Sequence, residues 1–185
     1  MKAIIEADDD RSLLTALAHG NRVAFATLVQ RHTRRFYAVA YRVLGHREDA
    51  EEVVQDAFLM LWARPEVWNA NRGTKFTTWF YRVVMNKALD LLRKRAVSAK
   101  TSNIDDLKDK LASDGDVEKD LATSQQLERV KQALEKLPDR QRMAIVLCFY
   151  DGRPQTEAAE ILGISVKALE ALLIRAKTSL RRELS

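Results

Sequence analysis

Residues 156–184, TEAAEILGISVKALEALLIRAKTSLRREL, decide the fold class of this chain. The first eight residues have the apolar spacing of a short helix that ends at Gly163, and the last nineteen have the spacing of a longer basic helix. Gly163 suits a tight turn, and Ser165 can cap the helix that follows it. Two helices joined in this way predict a helix-turn-helix, in which the second helix enters the major groove of duplex DNA.

The longer helix has two sides when it is projected at about 100° per residue. One side is apolar and is expected to pack on the preceding helices; it comprises Val166, Leu169, Leu172, Leu173, Ala176 and Leu180. Lysine and arginine on the other side can neutralise phosphates, arginine can bind guanine through two hydrogen bonds, and alanine or isoleucine can contact thymine methyls. The alternative is a basic amphipathic helix that only caps a bundle. The side of the longer helix that we expect to face DNA, opposite its apolar side, comprises Lys167, Ala171, Ile174, Arg175, Thr178 and Arg182.

The rest of the chain is also predicted to be helical. Apolar residues recur at helical spacing over residues 24–44, 48–63 and 77–95, Gly45 ends the first of these helices, and Pro65 ends the second. We expect an all-α protein with two small helical domains, at residues 10–96 and 124–184. Residues 97–123 are rich in Asp, Ser, Lys and Asn, which is typical of a flexible acidic linker.

Charge is unevenly distributed along the chain, whose net charge is +5. Residues 1–100 carry 17 Lys and Arg against 11 Asp and Glu, residues 101–135 carry 5 against 9, and residues 136–185 carry 9 against 6. Two basic segments joined by an acidic one indicate two surfaces that face a polyanion, although ordinary solvated charge is the simpler alternative.

Several functional classes are disfavoured by composition. The three histidines have no metal-ligand spacing, no glycine-rich phosphate loop follows a strand, and the single cysteine, Cys148, lies in an apolar run. We therefore expect no enzyme, no metal, no cofactor and no small-molecule substrate. The N-terminus turns acidic at once and no run of about 18 apolar residues follows, so we expect no signal peptide, no membrane insertion and a cytoplasmic protein.

The predicted helix 48–63 has an unusual second side. Its core stripe of Val53, Val54, Ala57, Phe58, Leu61 and Trp62 leaves Leu59 exposed among acids and a glutamine. An exposed leucine is common by chance, but such a side could also dock another protein.

The predicted helix 77–95 carries a polar stripe. Arg82, Asn86, Asp90 and Lys94 follow one another at intervals of four residues, and an aromatic loop with two cations at residues 71–76 precedes the helix. Cations, amides, hydroxyls and an aromatic ring together can hold a single-stranded nucleic acid. The alternative is a solvent face with ion pairs, in which Asp90 pairs with Lys94.

Three segments in this order resemble the extracytoplasmic-function (ECF, group IV) sigma factors of bacterial RNA polymerase. They are DAEEVVQDAFLMLW (residues 49–62), FTTWFYRVVMNKALDLLR (residues 76–93) and LPDRQRMA (residues 137–144). The resemblance covers nearly the whole chain outside the first ten residues and the linker. It implies sigma region 2 at residues 10–96 and sigma region 4 at residues 124–184, and therefore binding to core RNA polymerase and to promoter DNA. It also implies control by an anti-sigma factor.

The resemblance assigns a role to each surface. Docking on core polymerase falls to Asp49, Glu52, Gln55, Asp56 and Leu59. Capture of the unpaired −10 strand falls to Asn71, Arg72, Gly73, Thr74, Lys75, Phe76 and Asn86, with support of the strand backbone from Arg82, Lys87, Arg93 and Arg95. Reading of the −35 duplex falls to the second side of the last helix, with Lys177 near the DNA.

Two positions depart from the family pattern. Residues 168–172 read Ala-Leu-Glu-Ala-Leu where a Thr-Val-Lys-Ser-Arg run is common, and Glu170 repels phosphate, so relatives do not predict the −35 sequence. The first helix of the helix-turn-helix opens with Arg153 and Pro154 without the usual serine cap. A free-standing helix-turn-helix regulator with a sensing or dimerising N-terminal domain is the alternative function, but it gives Asn86 and its neighbouring cations no purpose.

Overall fold

The regular structure in the computed structural model, which describes residues 2–68, 73–101 and 121–184, is helical, and no strand occurs in those ranges. This confirms the all-α prediction. A 3-10 turn at Pro65–Val67 follows the third helix, and a π-helical turn at Val146–Tyr150 continues the sixth. The α-helices are α1 Lys2–Ala18, α2 Arg22–Leu44, α3 Arg47–Ala63, α4 Phe76–Thr101, α5 Leu121–Glu135, α6 Asp139–Ile145, α7 Gln155–Leu162 and α8 Val166–Leu184.

Local sequence explains the bounds of α2. The side chain of Asn21 accepts hydrogen bonds from the backbone N–H groups of Val23 at 3.0 Å and Ala24 at 3.1 Å, which satisfies two donors of the first turn. Gly45 follows the last turn with a φ of 77° and donates its N–H to the carbonyl of Tyr41. This left-handed cap favours glycine, as predicted from the sequence.

Two helices extend beyond their predicted bounds. Helix α4 reaches Thr101, six residues past Arg95, because neither glycine nor proline interrupts the chain there. Helix α5 begins at Leu121, three residues before the predicted domain boundary. The first and last residues of the predicted linker 97–123 are therefore helical, and residues 102–120 lie outside the described ranges.

Aromatic rings form the centre of the N-terminal bundle of α1–α4. Phe80 of α4 lies 4.6 Å from Phe36 of α2 and 4.7 Å from Phe58 of α3, measured between ring centroids, and all three rings are buried. Such contacts add to the burial of large apolar area and fix the three helices against one another. Trp62, expected in the core stripe, is 36% exposed because it lies at the edge of the bundle against Phe25.

A buried carboxylate fastens α1 to α2. Asp10 accepts hydrogen bonds from Arg31 at 2.6 Å and from the ring of His32 at 2.9 Å. Burial acts to raise the pKa of Asp10, but these two partners outweigh it and hold the pKa below its ordinary value. His32 thus has a structural partner in α1, which accounts for its burial.

A buried arginine joins the C-terminal bundle of α5–α8 to the N-terminal bundle. Arg142 of α6 donates to the carbonyls of Glu135 at 2.9 Å and Leu137 at 3.2 Å, at the end of α5. It also donates to the carbonyl of Val43, at the end of α2, at 2.7 Å. Burial lowers the pKa of Arg142. One guanidinium group therefore satisfies the carboxyl ends of two helices that belong to different bundles.

Candidate nucleic-acid and polymerase interfaces

The helix-turn-helix forms as the sequence predicts. Gly163 ends α7 with a φ of 64°, in the left-handed region, and Ser165 accepts a hydrogen bond from the backbone N–H of Ala168 at 3.2 Å. Pro154 precedes α7 and gives it no side-chain cap. The turn thereby fixes the direction in which α8 leaves α7.

Helix α8 buries one side and exposes the other. Leu169, Leu173 and Ala176 are buried, and Leu172 and Leu180 are partly buried. The prediction that Val166 packs in the core is wrong: it is 37% exposed, because it is the first residue of α8. Of the predicted DNA-facing side, Ala171 is partly buried, and the exposed members are Lys167, Ile174, Arg175, Thr178 and Arg182.

Two of the predicted DNA-facing residues also make contacts within the chain. The ammonium group of Lys177 lies 4.7 Å from the ring centroid of Phe149, which is itself 56% exposed. The hydroxyl of Thr178 donates to the carbonyl of Ile174 one turn earlier. Ile174 itself is 66% exposed, in the middle of α8.

The predicted docking face of α3 is exposed apart from its first member. Glu52, Gln55, Asp56 and Leu59 lie on the surface, and Leu59 is 52% exposed. Asp49, in contrast, is buried and forms an ion pair with Arg95 of α4. Asp49 is therefore corrected from a docking residue to a structural one, because its carboxylate already holds α3 against α4.

The polar stripe of α4 is exposed at all four positions, Arg82, Asn86, Asp90 and Lys94, and the neighbouring Arg93 is exposed as well. Lys87 is partly buried and lies 3.4 Å from the carboxylate of Asp56 on α3. Asp90 pairs with Arg93 at 3.7 Å rather than with Lys94, because a spacing of three residues also brings two side chains together on a helix.

Part of the predicted single-strand loop is described. Gly73 has a φ of 74°, Lys75 is exposed and Thr74 is partly buried, whereas Asn71 and Arg72 lie outside the described ranges. Phe76 is only 4% exposed and packs on His32, Trp68, Trp79 and Phe80. The prediction that the Phe76 ring faces a base is therefore corrected: the ring is part of the core.

A small cleft lies between this loop and α4. Its volume is about 120 Å³, and the buried indole N–H of Trp68 has no hydrogen-bond partner among the described residues, which do not include residues 69–72. Aromatic surface together with an unpaired donor suits a planar ligand that carries acceptors. The residues that line the cleft are Val67, Trp68, Thr74, Thr78, Trp79, Arg82 and Glu160.

The C-terminal bundle places carboxylates against α4, which sequence patterns did not indicate. Glu160 of α7 accepts a hydrogen bond from the hydroxyl of Thr74 at 3.0 Å, and Glu157 accepts one from Thr78 at 2.8 Å. Each pair joins residues about eighty positions apart in the chain. Helical periodicity describes only neighbours within one helix, so it could not detect these contacts.

Tyr81 lies at the centre of this contact. Its ring is fully buried, its hydroxyl donates to Asp151 at 3.1 Å, and the guanidinium of Arg153 lies 4.4 Å from its ring centroid. Arg153 also donates to Asp151 at 2.7 Å and to Glu157 at 2.6 Å. Burial, followed by the charge of Asp151, raises the pKa of Tyr81 to about 12.

This raised pKa predicts a loss of stability at alkaline pH. The unfolded tyrosine ionises near pH 10, whereas folded Tyr81 keeps its proton, so its contribution is complete below pH 10 and is lost as pH rises toward 12. The loss attributable to Tyr81 should reach about 2–3 kcal/mol. Urea unfolding between pH 8 and 12 measures it, with Tyr81→Phe as the reference protein. If the free energy of unfolding of the two proteins falls in parallel as pH rises, Tyr81 does not cause the loss of stability.

Within the described part of the chain, no helix is long and apolar enough to cross a membrane. The same residues contain no group of three His, Cys, Asp or Glu side chains that could hold a metal ion.

Family models match both helical bundles. The model for Sigma-70 region 2 matches residues 28–97, which include α3 and most of α4. The model for Sigma-70, region 4 matches residues 127–180, which include the helix-turn-helix. The two matches have the order and spacing of the two bundles.

Individual relatives match nearly the full length. The chain is 31% identical over 172 residues to the ECF RNA polymerase sigma factor SigW of Bacillus subtilis, which covers 89% of this chain and 91% of SigW. It is 37% identical over 180 residues to the RNA polymerase sigma factor CnrH of Cupriavidus metallidurans, which covers 94% and 93%.

Solved structures agree with these sequence matches. The structure of CnrH in complex with the cytosolic domain of CnrY matches with a TM-score of 0.69 and 31% identity, and covers 95% of this chain and 97% of that one. RpoE of Bartonella quintana, solved in complex with the anti-sigma factor NepR, shares the fold with a TM-score of 0.64 at 24% identity. The chain belongs to the ECF sigma factors of bacterial RNA polymerase.

Proposed function

We propose that this sigma factor binds core RNA polymerase through α3 and directs it to promoters whose −10 element it reads as a single strand and whose −35 element it reads as a duplex. The observation that carries this proposal is the exposed stripe of Arg82 and Asn86 beside the Trp68 cleft, in the same chain as a basic helix-turn-helix. The working units are residues 10–96 and 124–184. We infer no catalytic activity, no cofactor and no small-molecule substrate, and we assign the protein to the cytoplasm, where RNA polymerase acts.

The −10 strand is assigned to the loop before α4 and to the exposed side of α4. Asn86 presents an amide that can donate and accept hydrogen bonds at a base edge. The cleft volume of about 120 Å³ suits a base that has left the stack, as does the N–H of Trp68, which has no partner in the described part of the chain. Arg82, Lys87 and Arg93 supply positive charge along the same helix for the strand backbone. Gly73, Thr74 and Lys75 complete the site.

The −35 duplex is assigned to the exposed side of α8. Arg175 and Lys167 are exposed on this side and can reach base edges or phosphates. Ile174 offers an apolar contact to thymine methyls. Glu170 is exposed nearby and disfavours a phosphate in its vicinity. The preferred −35 sequence is therefore expected to differ from that of relatives with a basic run at residues 168–172.

Binding of core polymerase is assigned to the docking face of α3, which comprises Glu52, Gln55, Asp56 and Leu59. Three polar groups surround one exposed leucine, which resembles the polar rim and apolar centre of a protein interface. We also infer that an anti-sigma factor sequesters this chain. The solved complex of the relative CnrH with the cytosolic domain of CnrY supports this inference.

Reconstituted transcription tests the proposal. The purified full-length chain is mixed with core RNA polymerase and genomic fragments, without any anti-sigma factor. We expect a stable complex with core polymerase and initiation at a small set of promoters that neither component recognises alone. A chain that neither binds core polymerase nor supports initiation would exclude the proposed function.

Replacing Arg175 with alanine tests the −35 assignment. If Arg175 binds a guanine, the variant should lose about 1–3 kcal/mol of binding free energy on the cognate −35 duplex. Fluorescence anisotropy with labelled duplexes measures the loss, and a duplex with a scrambled −35 element is the control. An equal loss on both duplexes would assign Arg175 to a phosphate instead of a base.

A further inference from the structure

Three hydroxyl groups of the N-terminal bundle are bound by three carboxylates of the C-terminal bundle. Thr74 donates to Glu160 at 3.0 Å, Thr78 donates to Glu157 at 2.8 Å, and Tyr81 donates to Asp151 at 3.1 Å. Positions 74, 78 and 81 follow the spacing of one helix face. A row of acids thus covers one continuous face of α4 and the loop before it.

The covered face adjoins the proposed −10 site. Glu160 forms one wall of the cleft together with Thr74, Thr78 and Arg82. The turn of the helix-turn-helix also lies close to the same arginine, because a Cβ atom built on Gly163 would be 3.5 Å from the guanidinium of Arg82. A base that enters the cleft would lie against the Glu160 carboxylate.

Carboxylates and phosphates compete for the same partners. Both groups are anionic oxygen acceptors, and both accept hydrogen bonds from hydroxyl and guanidinium donors. Glu157 and Glu160 therefore occupy Thr78 and Thr74 as the oxygens of a bound strand would. Their negative charge also repels a nucleic-acid backbone that approaches α4.

The −35 surface is not covered in the same way. Lys167, Ile174 and Arg175 are exposed, and they lie on the side of α8 opposite its buried contacts with α6 and α7. In this arrangement the chain can present its duplex-reading helix while its single-strand face is closed.

We propose that Glu157 and Glu160 hold the free chain in a self-inhibited form, in which they occupy the hydroxyl donors of Thr78 in α4 and of Thr74 in the loop before it, which the −10 strand would use. This proposal rests on the proposed function, because it assumes that the covered face binds that strand. Because Glu160 is exposed, its hydrogen bond to Thr74 can be broken. A DNA strand that competes for Thr74, or a rearrangement of the two bundles on core polymerase, can displace the Glu160 carboxylate.

A double substitution tests the proposal in the full-length chain. Glu157→Gln/Glu160→Gln keeps the size of both side chains but removes their charge. The matched control is Glu51→Gln/Glu128→Gln, which makes the same change in net charge at two exposed carboxylates that contact Arg47 and Gln132 of their own helices. Two probes are used: the labelled −10 single strand and the labelled −35 duplex of a promoter recovered in the transcription assay.

We expect the test variant to bind the single strand about five- to tenfold more tightly than the control variant, because charged hydrogen bonds are roughly twice as strong as neutral ones. Binding of the −35 duplex should be equal in the two variants. Hydrogen exchange measured by mass spectrometry should show faster exchange in peptides that cover residues 74–81 of the test variant alone.

The remaining outcomes separate the two proposals. Equal single-strand affinity in both variants, with promoter-dependent transcription intact, overturns self-inhibition and leaves the proposed function standing. Unchanged hydrogen exchange in residues 74–81 overturns it as well, because the carboxylates then do not hold the contact. A chain that initiates at no promoter in the transcription assay, and therefore yields no probe sequence, overturns both proposals.

Discussion

Replacing Asn86 with alanine is expected to reduce open-complex formation by about 10- to 100-fold while leaving the affinity for core polymerase unchanged. The reason is that Asn86 is exposed on α4 in the described part of the chain, so its removal costs little stability. A bidentate amide contact with a base contributes about 1–3 kcal/mol, or about 5- to 150-fold, and the expected loss lies within that range. Permanganate footprinting of unpaired thymines measures opening, and native gel electrophoresis with core polymerase measures docking.

Gln55→Ala is the matched control, because it removes an exposed amide of similar size from the docking face of α3. This variant should weaken core binding and, at saturating core polymerase, should open the promoter normally. If Asn86→Ala impairs only promoter opening and Gln55→Ala impairs only core binding, the two helix faces have separate functions. An Asn86→Ala variant that loses core binding and opening to the same extent would assign Asn86 to docking or to folding instead.

Replacing Arg142 with alanine is expected to lower the free energy of unfolding by about 3–5 kcal/mol. Three carbonyls lose their buried donor, each at a cost of about 1–3 kcal/mol, partly offset where water reaches the site. Because one of these carbonyls belongs to Val43, the contact between the two bundles should weaken along with the C-terminal bundle itself. Urea denaturation followed by circular dichroism measures the total loss.

Arg140→Ala is the control, since Arg140 is exposed in the same helix and should change stability by less than about 0.5 kcal/mol. Tryptophan fluorescence reports on unfolding of the N-terminal bundle alone, because all three tryptophans lie there. In the Arg142→Ala variant the circular dichroism transition should move to lower urea than the fluorescence transition. Equal stability of the two variants would show that water replaces the Arg142 guanidinium at little cost.

Local signals in the sequence predicted the helices and the turn between α7 and α8. Gly45 and Gly163 adopt the left-handed conformations that end α2 and α7, and Ser165 caps α8. Each of these features depends on residues within four positions of one another, and sequence periodicity describes that range well. The end of α4 was missed because no residue after Arg95 marks a stop.

Contacts between distant residues could not be predicted in this way. Helical spacing places Asp49 on the same side of α3 as the exposed docking residues, so the sequence alone does not distinguish them. Asp49 becomes structural only because Arg95, 46 positions away in the chain, binds its carboxylate. Phe76 has the composition of a base-stacking residue, but the rings around it bury it. The segment LPDRQRMA gives no sign that Arg142 is structural, because its partner Val43 lies 99 positions earlier in the chain.

The ion pair between Asp56 and Lys87 links the surface that we propose for core polymerase to the surface that we propose for the −10 strand. A polymerase that engages the Asp56 carboxylate also frees the Lys87 ammonium group for a DNA phosphate, so the two binding events favour each other, and thermodynamic reciprocity makes the benefit equal in both directions. The pair is partly exposed and its charges are 3.4 Å apart, which limits its strength to about 1 kcal/mol. The cooperativity that passes through this contact therefore cannot exceed about fivefold, a small bias that salt would remove.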